Sequence, residues 1–336
     1  MEENKALKRQ CNLLGGTLLI YKVIMNVSVI AFMIVAAIAV VVLSAMGMAF
    51  DVATNEGLPA DPDVLTEKIT DVMIGGMGWG YLLAVAVGLL ILLLWKKPSY
   101  FKTVLAQRGK PMRLGVFLFT LCLIMAIQVL TQLICSAAEL VYNQFGLSLL
   151  GVMESSGVSM DSLSMLLYAG LIGPIAEEIL FRGLMLRSLQ PHGKGLAIVV
   201  SAILFGFFHG TPIQTPFAML IGLLLGYVAV EYNIFWAIAL HIFNNLILGD
   251  TLPRLLALLP NELPSLVMWA LMIGATVAAA IVLWLRRNKI PGVLETFRSR
   301  NEQWRAVIAS PCVIIVVIFS LFDMALSMAM LVFSGT

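Results

Sequence analysis

Nine apolar runs, each long enough or nearly long enough to cross a hydrocarbon core, restrict this 336-residue chain more than any other feature. They fall at roughly 24–49, 73–95, 115–142, 164–188, 195–210, 214–230, 234–249, 264–285 and 307–333. In lipid every backbone amide needs an internal partner, which leaves only helices and closed barrels. Runs near 20 residues match the helical crossing length, whereas barrel strands are about half as long and alternate in polarity. The reading is an all-α fold, a polytopic transmembrane helical bundle of about nine spans. Composition agrees: 60% of residues are hydrophobic and 12% charged, against about 25% charged in soluble domains. Spans five to seven are short, with brief connections, so spans four to seven read as a four-helix core enclosed by the others. The chain divides into N-terminal helices (1–163), that core (164–250) and C-terminal helices (251–336).

Charge placement orients the bundle. Lys5, Lys8, Arg9 and Lys22 precede the first span, Lys96, Lys97, Lys102, Arg108, Lys110 and Arg113 follow the second, and Arg182, Arg187 and Lys194 surround the end of the fourth. Arg286, Arg287, Lys289, Arg298, Arg300 and Arg305 follow the eighth. With nine spans all of these fall on one side, and the positive-inside rule makes that side, with the N-terminus, cytoplasmic. The expected location is the cell membrane. The acidic 50–72 loop is then exterior, and 288–305 is a cytoplasmic segment whose Phe297 and Trp304 suit the bilayer surface. The apolar run after the basic N-terminus is too long for a cleavable signal. Cys11, Cys122, Cys135 and Cys312 are scattered without C-x-x-C spacing, which argues against a disulfide framework or thiolate metal site. The basic residues carry no nucleic-acid-binding motif. Gly222 and Gly226 form a G-x-x-x-G step that permits close helix packing. The run Gly75-Gly76-Met77-Gly78-Trp79-Gly80 loosens the start of span two without suggesting a function.

Against this background, Glu177 and Glu178 in the middle of span four are expensive: a carboxylate at bilayer depth costs roughly 2.5–3.5 kcal/mol on insertion scales. Residues four apart share a helix face while neighbours diverge by about 100°. Glu178 therefore pairs with Arg182, and Glu177 is left to address something else. Pro174 relaxes the helix just before them. Span five ends Phe205-Gly206-Phe207-Phe208-His209-Gly210, and span seven carries His241 and Asn245, again four apart. A carboxylate can take a proton from water, imidazole can hold that water or ligate a metal, and an amide can stabilise an oxyanion. The plainer readings are that Glu178–Arg182 is structural, His192 solvated, Asn244 a packing or capping residue, and Glu231-Tyr232-Asn233 interfacial. Asp323, in span nine, has no partner evident in the sequence. Drawn as straight rods, span four places Glu177 about 15 Å from the basic end and span five places His209 about 22 Å from it. Tilt, the Pro174 break or an extended Gly206 region must close the difference.

The ordered set E-E-x-x-x-R, F-x-x-x-H and H-x-x-x-N on successive membrane helices resembles the CPBP family of intramembrane proteases. That family includes the type II CAAX prenyl endopeptidases and the bacteriocin-processing or immunity (Abi) proteins. The matching residues are Glu177, Glu178 and Arg182, then Phe205 and His209, then His241 and Asn245, and the resemblance covers roughly 164–250. It implies an endopeptidase in which Glu177 activates water with His209 beside it. His241 and Asn245 would bind the oxyanion or hold the water, and Glu178 and Arg182 would support the site. The implied substrate is a membrane-associated peptide or protein, prenylated or bacteriocin-like, and the lipid bilayer is its setting. Two cofactor readings stay open. One is zinc on Glu177, His209 and His241, with Glu178 as base. The other, slightly favoured because no H-E-x-x-H is present, is a metal-free glutamate-dependent site or a weakly held metal. Rhomboid-type G-x-S-G and presenilin-type G-x-G-D signatures are not matched; Gly157-Val158-Ser159-Met160 falls in a loop. The competing readings are a proton-coupled transporter, for which no inverted repeat is visible, and a non-catalytic immunity or scaffold protein of the same fold.

Overall fold

The computed structural model describes residues 2–45, 62–107, 109–146, 148 and 160–333. Among them every regular element is helical. The long elements are α1 (Glu2–Ala45), α2 (Pro62–Ala106), α3 (Leu114–Tyr142), α4 (Leu163–His192), α5 (Lys194–His209), α6 (Gln214–Glu231), α7 (Ile234–Leu256) and α8 (Leu263–Leu285). Two short helices, α9 (Ile290–Thr296) and α10 (Asn301–Ile308), lead into α11 (Pro311–Phe333). Eight of these are long and apolar enough to cross a membrane, and the 16-residue α5 is a shorter apolar ninth. The molecule is thus an all-α, multi-pass membrane protein.

Burial separates the layers. In the most apolar window of each helix, 44% of residues are buried in α4 and in α6 but only 6% in α8, whose sides face outward. Ten residues of α5, all between Gly195 and Gly206, are buried. α7 is less enclosed than expected, at 28% against 33% for α2, because Phe235 and Ala239 are exposed and most of 242–248 is only half-buried. Tight helix contact in the core comes from small residues. A Cβ on Gly222 would stand 3.0 Å from the Cα of Ala202, and one on Gly226 would lie 3.1 Å from Ile198. Gly206 stays helical instead of extending. A Cβ there would overlap Met219 and fall 2.7 Å from the Thr215 carbonyl, so its use is the close approach of α5 to α6. The glycine run in α2 is a similar seam: Gly78 lies against the backbone of Ser164, whose hydroxyl donates to the Gly75 carbonyl at 2.9 Å.

Several boundaries differ from the sequence reading, α7 running on to Leu256 instead of ending near 249 and α4 to His192 instead of 188. α1 begins at Glu2, not near residue 24, because Leu7, Cys11, Leu14, Leu18, Tyr21 and Met25 form a buried stripe at three- and four-residue intervals. α2 begins at Pro62, so part of the 50–72 loop is helix; residues 46–61 lie outside the described residues, as do 149–159 with the Gly157–Ser159 stretch. α2 also continues past a kink at Lys97 (φ 63°), just before Pro98, and Tyr100 then donates to the Gly183 carbonyl. Finally, span nine starts at Pro311, after the separate helix α10. There the Phe297 ring stacks on Tyr227 while its backbone packs on Gly195, and Trp304 packs on the core, so both half-buried rings have protein contacts.

The basic connections gather at one end of the bundle, as the nine-span count requires. Glu231 pairs with Lys110 at 2.6 Å and Lys194 at 3.6 Å, Arg300 pairs with Glu3 at 2.8 Å, and Gln303 donates to the His192 carbonyl at 2.7 Å. The Glu231 carboxylate holds the Lys110 ammonium above its ordinary pKa. At the other end Arg254 bridges Asp250 and Asp161. Because the α5–α6 contact leaves no room at Gly206, Gly206→Leu is expected to destabilise by about 1–3 kcal/mol through overpacking. Gly274→Ala, with nothing within 4 Å of the added carbon, is expected to be neutral or slightly stabilising. Thermal unfolding of the two variants in detergent checks this.

Candidate active site

The site is built on helices whose turns are locally widened. Within α4, Leu166–Ile172 and Ile179–Leu186 take π-helical turns on either side of the α-helical Gly173–Glu178, and α7 does the same over Phe243–Thr251. Such turns are uncommon and collect at functional sites, because an extra residue per turn re-aims the side chains that follow. Pro174 has no amide to donate, and the widened turn ahead of it absorbs that loss.

Glu178 and Arg182 are fully buried, and Arg182 Nη1 donates to Glu178 Oε1 at 2.8 Å. The same guanidinium donates through Nη2 to the Gly222 carbonyl at 3.2 Å and lies 4.5 Å above the Phe205 ring. His241 Nδ1 donates to Glu178 Oε1 at 2.9 Å. Phe205 in turn stands edge-on to both histidine rings, 4.8 Å from His209 and 5.7 Å from His241. One residue of the α5 motif therefore touches the arginine of the first motif and the histidines of the second and third. Glu178 Oε2 and Arg182 Nε find no hydrogen-bond partner among the described residues. An incompletely satisfied buried pair contributes little net stability but is costly to break.

Glu177 is placed differently. Its carboxylate is 18% exposed and lines a cavity of about 410 Å³, a size typical of ligand sites. His209 and Asn245 line the same cavity, with Tyr168, Pro174 and Phe208. The straight-rod mismatch between Glu177 and His209 is closed without unwinding α5. His241 Nε2 stands 3.7 Å from Glu177 Oε2, beyond hydrogen-bond range. His241 itself stands behind the wall, 4% exposed, bridging the two adjacent glutamates.

Partners fix the tautomers. His209 Nδ1 lies 2.9 Å from the Phe205 carbonyl, which only accepts, so Nδ1 carries the proton and Nε2 is an acceptor in the neutral ring. The same logic protonates His241 Nδ1 against Glu178, leaving Nε2 toward Glu177. Asn245 spends one amide hydrogen on the Ala169 carbonyl at 3.0 Å and keeps one. Its carbonyl is fixed by Asn244 Nδ2 at 2.9 Å, and Asn244 is fixed by Gln128 of α3 at 3.0 Å. Sequence reading gave Asn244 only a packing or capping role and missed Gln128. A glutamine facing inward from an apolar span was the available signal.

A zinc ion would need its ligands about 2.0–2.2 Å from one point. Among the described residues no three His, Cys, Asp or Glu side chains converge in that way, although each histidine, its Nδ1 held, keeps Nε2 open. As arranged, Glu177, His209 and His241 do not fit a zinc set, and no step is derived through a metal. A second groove, about 340 Å³ between α1 and α2, is lined mainly by apolar residues such as Ile20, Leu92 and Trp95 and holds no carboxylate or imidazole.

Arg182→Met strips the buried Glu178 of its counterion and is expected to cost about 3–5 kcal/mol. Glu178→Gln combined with Arg182→Met is expected to recover part of that loss. Unfolding midpoints of the single and double variants measure the coupling.

No curated protein and no solved structure matches the chain. Residues 159–247, the stretch that carries all seven motif residues from Glu177 to Asn245, match the family described as Rce1-like, type II CAAX prenyl endopeptidase Rce1-like.

Proposed function

We propose that this protein is an intramembrane endopeptidase that hydrolyses a peptide bond of a membrane-associated protein or peptide, through a metal-free, glutamate-dependent reaction. The observation that carries the reading is the unequal treatment of two adjacent carboxylates. Glu178 is locked by Arg182 and His241, while Glu177 opens onto a cavity with no hydrogen-bond partner among the described residues. A carboxylate in that position has a lone pair free for water, which is what a general base requires. The family match over 159–247 supports the same reaction class.

Each residue then has a role its bonding allows. Water sits on Glu177, with its second hydrogen accepted by His209 Nε2. Attack on the scissile carbonyl carbon transfers the first proton to Glu177, where it is shared with His241 Nε2, whose lone pair faces Oε2. The oxyanion takes the spare amide hydrogen of Asn245. Collapse of the tetrahedral intermediate breaks the C–N bond, and the proton held between Glu177 and His241 passes to the leaving amine. Glu178, Arg182 and Phe205 hold the frame. The basic end is assigned to the cytoplasm by the charge rule, which places the N-terminus there too.

Reconstituted protein offered a library of membrane-anchored peptides is expected to release fragments identifiable by mass spectrometry. Glu177→Gln is expected to reduce the rate by at least about 10²-fold, the scale of general-base loss, with an unchanged unfolding midpoint. Undiminished cleavage by Glu177→Gln, or cleavage that requires added zinc, contradicts the mechanism. Substrate-dependent proton flux without any cleavage contradicts the reaction class.

A further inference from the structure

Asp323, unpartnered in the sequence, meets Lys22. Lys22 of α1 and Asp323 of α11 form an ion pair at 2.6 Å between the first and last long helices, with side chains 11% and 28% exposed. Intramembrane charge is costly, so such a pair calls for a function. Both residues line the cavity that holds Glu177 and His209. Lys22 is the one lysine or arginine among its described lining residues. Its ammonium is held on one side. A Cβ on Gly210 would lie 3.2 Å from both Nζ and Asp323 Oδ2, and the Phe319 ring, one turn before Asp323, is 5.1 Å away. Gly210 has a left-handed backbone (φ 65°) that closes α5 directly after His209.

The chemistry of the proposed reaction sets the consequence. Glu177 has no lysine or arginine within ion-pair distance among the described residues. A lysine in the same cavity, on a flexible four-carbon stem, would form that pair if released, because the low local dielectric strengthens any attraction. A carboxylate bound to an ammonium is a weaker base, since an opposite charge favours its ionised form. We propose that Asp323 is a positioning residue for Glu177: it holds Lys22 against the Gly210 cap, so that the base stays unpaired. This rests on Glu177 being the base.

Asp323→Asn keeps the size of the side chain and frees Lys22. The expected result is a kcat at least about tenfold lower, with KM within about twofold. Lys22→Met alone, and the double variant Lys22→Met with Asp323→Asn, are expected to stay within about threefold of wild type, because no cation remains to capture Glu177. A brace between α1 and α11 would give the opposite order, with the double variant at least as impaired as Asp323→Asn. A second reading needs no activity. Zero-length carbodiimide coupling followed by peptide mass spectrometry should give a Lys22–Asp323 amide in the wild type and a Lys22–Glu177 amide in Asp323→Asn. An unrescued double variant, or no new amide in Asp323→Asn, overturns the inference. Glu177→Gln in the same assay separates the two failures: if it still cleaves, the base assignment falls, whereas the cross-link switch still reports where Lys22 goes.

Discussion

A guanidinium with no exposed surface is the constraint on which the core depends. Arg182 can lie between α4, α5 and α6 only because Glu178, the Gly222 carbonyl and the Phe205 ring each take part of its charge. Those contacts come from three helices, so satisfying one cation fixes their relative heights. Gly222 serves twice in this, bringing α6 close to Ala202 and presenting its carbonyl to Arg182. The ion pair also spends one of two adjacent carboxylates. What remains is Glu177, aimed about 100° away by helix geometry into a cavity. The division between a locked and an open glutamate follows from a four-residue spacing and the cost of an unpaired charge in hydrocarbon.

The outer helices give that division its setting. The cavity is walled by the core on one side, and on the other by Lys22, Met25 and Asn26 of α1, Tyr81 of α2, and Asp323 and Ser327 of α11. Tyr81 stacks on Tyr168 with centroids 4.6 Å apart, which ties α2 to the widened first turn of α4. The first two helices and the last thus enclose the chemistry without carrying the motif. α3 contributes from outside, through the Gln128–Asn244–Asn245 chain that orients the cavity amide.

Much of this was legible in the sequence because lipid leaves few choices. Continuous apolar runs located α2 to α8 within a few residues, apart from the early start and extension of α2 and the end of α7, which runs seven residues further to Leu256. The Glu178–Arg182 pair followed from spacing alone, and the geometry brought Glu177, His209 and Asn245 to one cavity. What was missed has physical reasons. Polar residues in the first 22 positions hid a buried stripe from Leu7 to Met25, because a hydropathy window averages over faces. Phe297 and Trp304 read as interfacial from their charged neighbours, and their contacts with Tyr227 and the core could not be read from that segment alone. The partner of Asp323 lies about 300 positions away, and no local rule connects residues at that range. The bond from His241 to Glu178 was likewise invisible, because it joins two helices across 63 positions and no local spacing rule pairs them.

The account is tested most directly by an experimental density map of the protein with an uncleaved membrane-anchored peptide trapped on it. It predicts the scissile carbonyl in the cavity of Glu177, its oxygen within hydrogen-bond reach of the Asn245 amide, and an ordered water bridging Glu177 and His209 Nε2. A peptide seated in the groove between α1 and α2, or one reaching Glu178 while Glu177 points into protein, would contradict it.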